Sequence, residues 1–380
     1  MKYLATILIV LTLATGAAFG QDRLDPASPK DPRTMAMGGA FVAMSQGYQS
    51  FFGNPAAFAG KRELTLASVN PWVYISPTTD NIAMFSDALD SGDVSLGSLG
   101  GLIEANGLGA GLSFGTGLTG GGLGLGLVGG FDAYVRGKSA VGAEGTMNGT
   151  VAAIIGIGLP VQLFGLDLTV GGNLRPFLRL TGPIVATELL GLLGGDEADP
   201  MTMPVDVGFG LAADLGMKMS FGRMVSVGLA IRDISTDQAF APSTLGDTLD
   251  SLSTGTLPES EVENTYSVLP NIALGVSLRP LPASISSLVD LLVILELQDI
   301  PAVVADGSSF MHTVHLGTEL DLLSGFVALR GGLNKGYISL GAGIDLAIME
   351  FNIAVFTEET GVLLGDRPRT GVSAELAIRF

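Results

Sequence analysis

"PVDVGFGLAADLGMKMS", residues 204–220, changes character at every step. Side chains alternate across an extended strand with a period of two. Val205, Val207, Phe209, Leu211, Ala213, Leu215, Met217 and Met219 therefore share one face, while Asp206, Gly208, Gly210, Ala212, Asp214, Gly216, Lys218 and Ser220 share the other. A soluble sandwich also alternates, but its outer face would carry far more Lys and Glu. An apolar face opposed by small and polar residues is the pattern of a strand with lipid on one side and a lumen on the other. The C-terminus repeats it, Val372, Ala374, Leu376, Ile378 and Phe380 opposing Ser373, Glu375, Ala377 and Arg379. Gly-Leu alternation from Gly122 to Leu127 continues into Phe131 and Val135, with Asp132, Tyr134 and Arg136 opposite.

Fourteen such stretches occur, at approximately 62–70, 107–117, 121–137, 147–159, 165–181, 203–219, 222–234, 266–279, 289–299, 310–323, 325–334, 336–347, 349–357 and 370–380. Most reach the roughly 9–11 residues with which a tilted strand crosses a bilayer. Outer-membrane barrels join strands by short periplasmic turns and longer external loops, so connection lengths should alternate. Long connections fall at 71–106, 138–146, 182–202, 235–265, 300–309 and 358–369, and short ones around Thr119, Gly222, Ser324 and Ala347. Asn334-Lys335-Gly336 is a tight turn where a loop is expected, and 280–288 is longish for a periplasmic turn. The expected fold is all-β: a transmembrane antiparallel β-barrel of about 14 strands, with both ends in the periplasm.

Composition agrees. The chain has 380 residues, 55 of them Gly, only 15% charged residues, and a mean hydropathy of +0.49. Beyond the N-terminus no segment supplies the ~20 uninterrupted apolar residues of a membrane helix, which leaves a closed barrel as the membrane-compatible architecture. Lys2, the apolar run Leu4 to Ala14 and Ala18-Phe19-Gly20 form a secretory signal, with cleavage expected before Gln21. With no Cys there is neither a lipid-anchored Cys nor a disulfide frame. A net charge of −18 argues against nucleic acid as a partner. The expected organisation is a signal peptide at 1–20, an N-terminal plug at 21–61 and a barrel at 62–380, in the outer membrane of a diderm bacterium and in contact with its lipid.

Residues 21–61 do not alternate. "MGGAFVAMSQGYQSFFGNPAAFAG", residues 37–60, carries Phe41, Tyr48, Phe51, Phe52 and Phe58 but almost no charge. Gly38-Gly39 permits close backbone packing, and Asn54-Pro55-Ala56 is a turn signal. A segment so apolar needs burial, and the place a barrel offers is its lumen; the alternative is a loose periplasmic tail. The stretch resembles the N-terminal plug of FadL-type outer-membrane transporters of hydrophobic compounds, with a Gly-Gly-Ala-Phe run followed by Asn54-Pro55-Ala56, although Ala57 stands where Gly is usual and Ser45-Gln46-Gly47 replaces acidic residues. PorV-like barrels of protein secretion and surface attachment share this plug motif. The terminal Phe380 resembles the aromatic residue read by the barrel-assembly machinery during biogenesis.

The resemblance implies that the third and fourth external loops, 182–202 and 235–265, shape a hydrophobic binding site. Ile184, Val185, Leu189, Leu190, Leu192 and Leu193 could dock an acyl chain, enter the outer leaflet or pack over the barrel mouth. The fourth loop, acidic with Asp237, Asp247, Asp250, Glu259, Glu261 and Glu263, reads as a solvated surface or a divalent-cation site, and Ile82, Met84, Phe85, Ala88 and Leu89 suggest a helical lid in the first. Alternation points Asp132, Arg136, Arg175, Asp206, Asp214, Arg232, Glu319, Asp321, Arg330, Asp345 and Glu375 into the lumen. There they are expected to pair and to fasten the plug, since unpaired charges in a narrow interior are costly.

Other signals lack their context. Gly124-x-Gly126-x-x-Gly129 sits inside a strand pattern with no helix after it. His312 and His315, three apart on an expected strand, would face opposite ways. Asn148-Gly149-Thr150 is a glycosylation sequon only on a eukaryotic route. No catalytic set, cofactor motif, metal-spaced cluster or energy-coupling motif is present. Passive uptake of hydrophobic small molecules such as long-chain fatty acids is the leading expectation. A barrel holding a secreted-protein partner, or one with a purely structural surface role, are the alternatives.

Overall fold

The computed structural model describes residues 22–23, 29–76, 83, 101–104, 106–139, 142–163, 166–185, 199–235, 238–254, 264–286 and 288–380. Its strands, in chain order, are β1 Asp22–Arg23, β2 Glu63–Tyr74, β3 Leu108–Gly120, β4 Leu123–Arg136, β5 Glu144–Leu163, β6 Leu166–Val185, β7 Pro204–Phe221, β8 Val225–Ser235, β9 Gln238–Thr244, β10 Asn264–Ser267, β11 Asn271–Leu278, β12 Val289–Leu297, β13 Val314–Leu322, β14 Val327–Asn334, β15 Tyr337–Asp345, β16 Met349–Glu359 and β17 Pro368–Arg379. From β2 to β17 each strand pairs antiparallel with its neighbours.

β9 carries β8 onward along β7, which pairs with β8 over Ala212–Phe221 and with β9 over Pro204–Phe209. β10 extends β11 in the same way, so the sheet makes fourteen crossings. The last strand, β17, pairs with the first crossing, β2, in the register Gly371↔Tyr74 to Arg379↔Thr65. Leu64 and Phe380 exchange both backbone hydrogen bonds at 2.9 Å. The ring is closed and has no free edge.

Leu125, Leu127, Ile155, Ile157, Leu215 and Leu340 are exposed on the outer face. A closed sheet with an apolar exterior satisfies all its backbone groups internally, which is the condition for crossing hydrocarbon. The protein is a transmembrane β-barrel of the outer-membrane type. Among the described residues no helix is long and apolar enough to span a bilayer.

The wall is uneven in height. β5 and β6 have 20 residues each, whereas β13, β14 and β15 have 9, 8 and 9. Lys335 (φ 51°) and Gly336 (φ 95°) form the two-residue turn between β14 and β15. Both central residues in the left-handed region fit the reverse turn that matches strand twist. The connection at 279–288 does hold extra chain, including a short helix at Ala283–Ser286.

Four sequence expectations are corrected. The tenth crossing begins at Val314 rather than near 310, and His312 lies in a 3-10 turn, Phe310–Thr313, outside the strand. The segment 235–265 is not a plain loop, because β9 and β10 continue the wall there and a helix at Leu245–Thr254 follows β9. The first crossing runs on to Tyr74 instead of ending near 70. Val205 and Val207, expected against lipid, are buried in a cluster with Val135, Met147 and Leu180, because Ile103, Met203 and Leu245 pack on them at the tall end of β4–β7.

Residues 29–61 pack against the lumen-facing side of the wall. Asp31 caps a one-turn helix, Pro32–Ala36, its Oδ1 accepting the Thr34 N–H at 2.7 Å, and Pro32 occupies the first turn, where its missing N–H costs nothing. Two 3-10 turns follow, Gly47–Phe51 and Pro55–Ala59. The helix packs on β14–β17 and the second 3-10 turn on β3–β7, so the segment touches opposite sides of the wall. The expected signal sequence at 1–20 lies outside the described residues.

Candidate functional site

The site lies where residues 29–61 meet the lumen-facing side of the wall. Gly38 and Gly39 have φ of +68° and +83°, a region left-handed and costly for other residues. A Cβ on Gly38 would lie 2.7 Å from the Leu333 carbonyl carbon, so the chain turns here flat against the wall. Three wall side chains hold the turn. His315 Nδ1 lies 2.6 Å from the Gly38 carbonyl, Gln298 Nε2 donates to the Gly39 carbonyl at 2.7 Å, and Glu296 Oε2 accepts the Phe41 and Val42 N–H groups at 3.0 and 2.8 Å. The Arg232 guanidinium stacks over the Phe41 ring at 5.2 Å.

Asn54 joins segment and wall. Its Nδ2 donates to the Met217 carbonyl at 3.0 Å and to the Val42 carbonyl at 3.2 Å, while its Oδ1 caps the following turn by accepting the Ala56 N–H at 3.0 Å. Pro55 and Ala56 press on Gly171 and Gly216. Phe51 and Phe58 pack with Tyr48 and, partly, Phe52 on Val128, Ala152 and Ile154. Glycine makes room for them: a Cβ on Gly124 would lie 2.6 Å from the Phe58 ring, and one on Gly126 2.6 Å from the Phe51 ring. The Gly-x-Gly run that mimics a nucleotide motif is thus the imprint of two phenyl rings in the wall.

The inward charges divide into groups. Glu319 accepts from Arg33 of the segment (Nε 2.7 Å, Nη2 2.6 Å) and from Arg330 Nε at 2.6 Å, and Arg330 also donates to Asn352 Oδ1 at 2.7 Å. Burial works against the Arg33 charge, but Glu319 and then Asp321 and Asp31 outweigh it and raise the guanidinium above its ordinary value. Burial and the nearby Glu375 likewise raise the Tyr48 phenol, which stays neutral. Higher up, Lys30 donates to Glu358 at 2.9 Å, and Arg369 shares that carboxylate at 2.6 Å.

Arg175, Asp214 and Asp233 pair within the wall, Arg175 lying 3.4 Å from Asp214 and in closer contact with Asp233. Asp132 accepts from Trp72 Nε1 at 2.7 Å and the Tyr74 hydroxyl at 2.9 Å, Asp206 accepts from the Tyr266 hydroxyl at 2.8 Å, and Arg136 reaches the Pro368 carbonyl at 3.5 Å. Of the expected fasteners, Glu319 and Arg232 therefore touch the segment directly and Arg330 acts on it through Glu319, whereas Arg175, Asp214, Asp132, Asp206 and Arg136 bind other parts of the wall or its loops.

Two cavities flank the segment. One of about 240 Å³ lies toward the long loops and is lined by Phe52, Trp72, Val128 and Phe177 with Lys30 and Arg175. The other, about 200 Å³, is polar, lined among others by Arg33, Glu63, Glu319, Arg330, Glu350 and Arg379. Ile184 is buried on the tall wall in the cluster of Val205 and Val207, and Val185 ends β6. Leu189, Leu190, Leu192 and Leu193 lie outside the described residues, as do Asp237, Glu259, Glu261 and Glu263 and the first-loop residues Ile82, Met84, Phe85, Ala88 and Leu89. Asp247 and Asp250 sit on the helix Leu245–Thr254. No group of three metal-binding side chains occurs among the described residues.

Glu296 and Asp233 escape a reading by alternation. Glu296 follows an unbroken apolar run, Leu291 to Leu295, in which both faces of β12 are apolar and the period is hidden. The signal was a carboxylate closing an apolar run. Asp233 belongs to the outer face by count, but its φ of +57° makes a bulge that turns it inward beside Arg175.

No family model matches the chain, and no curated protein matches it. Among solved structures, the toluene transporter TbuX of Ralstonia pickettii aligns at 13% identity over 95% of this chain and 99% of its own, with a TM-score of 0.48. The Pseudomonas putida toluene transporter TodX aligns at 11% over 95% and 99%, TM-score 0.45. A Pseudomonas aeruginosa FadL homologue aligns at 10% over 95% and 99%, TM-score 0.42. These alignments run over nearly the whole chain, while its own closed hydrogen-bond ring establishes the fold.

Proposed function

We propose that this barrel is an outer-membrane channel for the passive uptake of hydrophobic compounds, with its N-terminal segment acting as the plug that gates the path. One observation carries the reading. Residues 29–61 fill the ring between an aromatic-lined cavity on the loop side and a polar one on the turn side. They are held by discrete hydrogen bonds and ion pairs rather than by continuous strand pairing. Such a segment can shift without dismantling the wall. The loop-side cavity suits a compact apolar molecule or one end of an acyl chain, for which transfer from water supplies about 0.8 kcal/mol per buried CH₂.

The test is initial uptake of labelled toluene and labelled palmitate by cells with and without the protein, alongside the variants Trp72→Ala and Phe177→Asp. Faster uptake that both substitutions reduce supports a hydrophobic path through this cavity, and the relative rates of the two compounds assign the substrate. Uptake unchanged by expression, with a secreted protein recovered in stoichiometric complex, replaces the reading by the secretion-associated one.

A further inference from the structure

On the low side of the barrel the crossings are too short for a bilayer. At about 3.3 Å per residue and a tilt of ~40°, strands of 9, 8 and 9 residues span only about 20–23 Å, short of the ~25 Å apolar band of an outer-membrane barrel. The 20-residue strands β5 and β6, half-way round the ring, reach about 50 Å by the same arithmetic. The belt on the low side is therefore incomplete unless something beyond the strands continues it.

Two connections do. The turn at 360–367, between β16 and β17, presents Val362, Leu363 and Leu364, exposed by 50%, 58% and 46%. The connection between β12 and β13 presents Val304 and Phe310, exposed by 75% and 66%. The first turn is a built object. Glu359 gathers it around one carboxylate, Oε1 accepting the Gly361 and Arg367 N–H groups at 2.8 and 2.7 Å and Oε2 accepting the Gly365 N–H at 2.7 Å and the Tyr337 hydroxyl at 2.8 Å.

Asp366 Oδ2 accepts the Leu363 N–H at 2.8 Å, and Thr360 Oγ1 donates to the Arg367 carbonyl at 2.8 Å. The Ser309 N–H reaches the Val362 carbonyl at 3.2 Å and joins the two connections. Leu364 lies against the rim, where a Cβ on Gly336 would be 3.0 Å from its Cδ1, and Ile338 of the outer belt, 72% exposed, begins two residues further on. An apolar patch held out rigidly and continuous with a lipid-facing belt marks an interaction surface.

We propose that Val304, Phe310 and Val362–Leu364 form a lipid-inserted rim, which buries itself in the acyl-chain region of the outer leaflet and completes the apolar belt on the short side of the barrel. The inference rests on the transmembrane geometry and is independent of the transport reading. The occupant is lipid because Leu364 packs against the rim beside Ile338 of the outer belt and the patch lies where the strands fall short of the bilayer's thickness.

The chain has no Cys, so single labels are clean. Leu363→Cys, Ile338→Cys and Asp247→Cys, each carrying an environment-sensitive fluorophore, are inserted as full-length barrels into vesicles of phosphatidylcholine with brominated acyl chains. Position 338 controls for insertion, and position 247, on the helix over the opposite connection, for solvent. The expected result is quenching at 363 comparable to that at 338 and several-fold stronger than at 247. Quenching at 363 as weak as at 247, with 338 still quenched, overturns the proposal and leaves the patch as a docking face for a protein partner.

Discussion

Arg33→Met tests how the N-terminal segment is held. Arg33 makes two charge-assisted hydrogen bonds to Glu319, at 2.7 and 2.6 Å, with only 13% and 1% of the two side chains exposed. Bonds to charged groups contribute about 1.5–3 kcal/mol, and bidentate geometry belongs at the upper end of what such pairs give. Glu319 keeps Arg330 at 2.6 Å after the substitution, so its charge is not orphaned and the loss should stay within about 1.5–3 kcal/mol. Glu319→Gln instead strands two buried guanidinium groups and should cost more, about 3–5 kcal/mol.

The assay is hydrogen exchange of the lipid-embedded protein, read at the amides of Met35, Met37 and Gly39, which bond to the carbonyls of Asp31, Arg33 and Thr34 at 2.8, 3.1 and 2.9 Å. Local opening of the segment exposes them while the wall stays intact. About 1.5–3 kcal/mol corresponds to roughly 10–150-fold faster exchange at these sites, with amides in β5 and β6 unchanged. Equal exchange in Arg33→Met and the parent would refute the view that this pair fastens the segment. Acceleration spread evenly over segment and wall would refute the view that the segment opens by itself.

Gly38→Ala must place a Cβ against the β13–β14 backbone at a left-handed residue, at about 1–2 kcal/mol for conformation alone; trypsin should then cut after Arg33 in a barrel that remains folded, and resistance equal to the parent contradicts the fit. Asn54→Ala removes the bonds to the Met217 and Val42 carbonyls and the cap on Ala56. At about 1 kcal/mol each, the loss should raise ion conductance in planar bilayers, and a silent pore would count against Asn54 as a fastener. Asp299 supplies a pH dependence. Burial raises its carboxyl, but Lys335 at 3.4 Å, His315 and Arg232 more than offset this and leave it below the ordinary value. Its stabilisation is thus complete above the usual carboxylate pKa of about 4 and is lost as pH falls through the lowered one. Exchange at the Val303 amide, bonded to the Asp299 carbonyl at 2.9 Å, should accelerate in acid, and Lys335→Met should flatten that dependence; an identical acid profile in both proteins rejects the coupling.

The sequence by itself determined the barrel. Strand periodicity is local, and lipid on one face with a packed lumen on the other writes it into consecutive residues such as Val205 to Met219. The uncharged, aromatic stretch ahead of β2 had to be buried, and Gly38-Gly39 was legible as a place of close backbone packing and Asn54-Pro55 as a turn. Local composition could not say which wall residue meets which segment residue, because those pairs lie far apart in the chain: Arg33 with Glu319, Val42 with Glu296, Asn54 with Met217. Alternation also fails where the backbone departs from the regular strand. The bulge at Asp233 turns an outward carboxylate inward, and the tall strands β4–β7 bury Val205 and Val207 under chain that a period of two cannot see. Only the closed ring decided the unequal strand heights and the glycines that fit Phe51 and Phe58, because closure brings every inward face onto one shared interior.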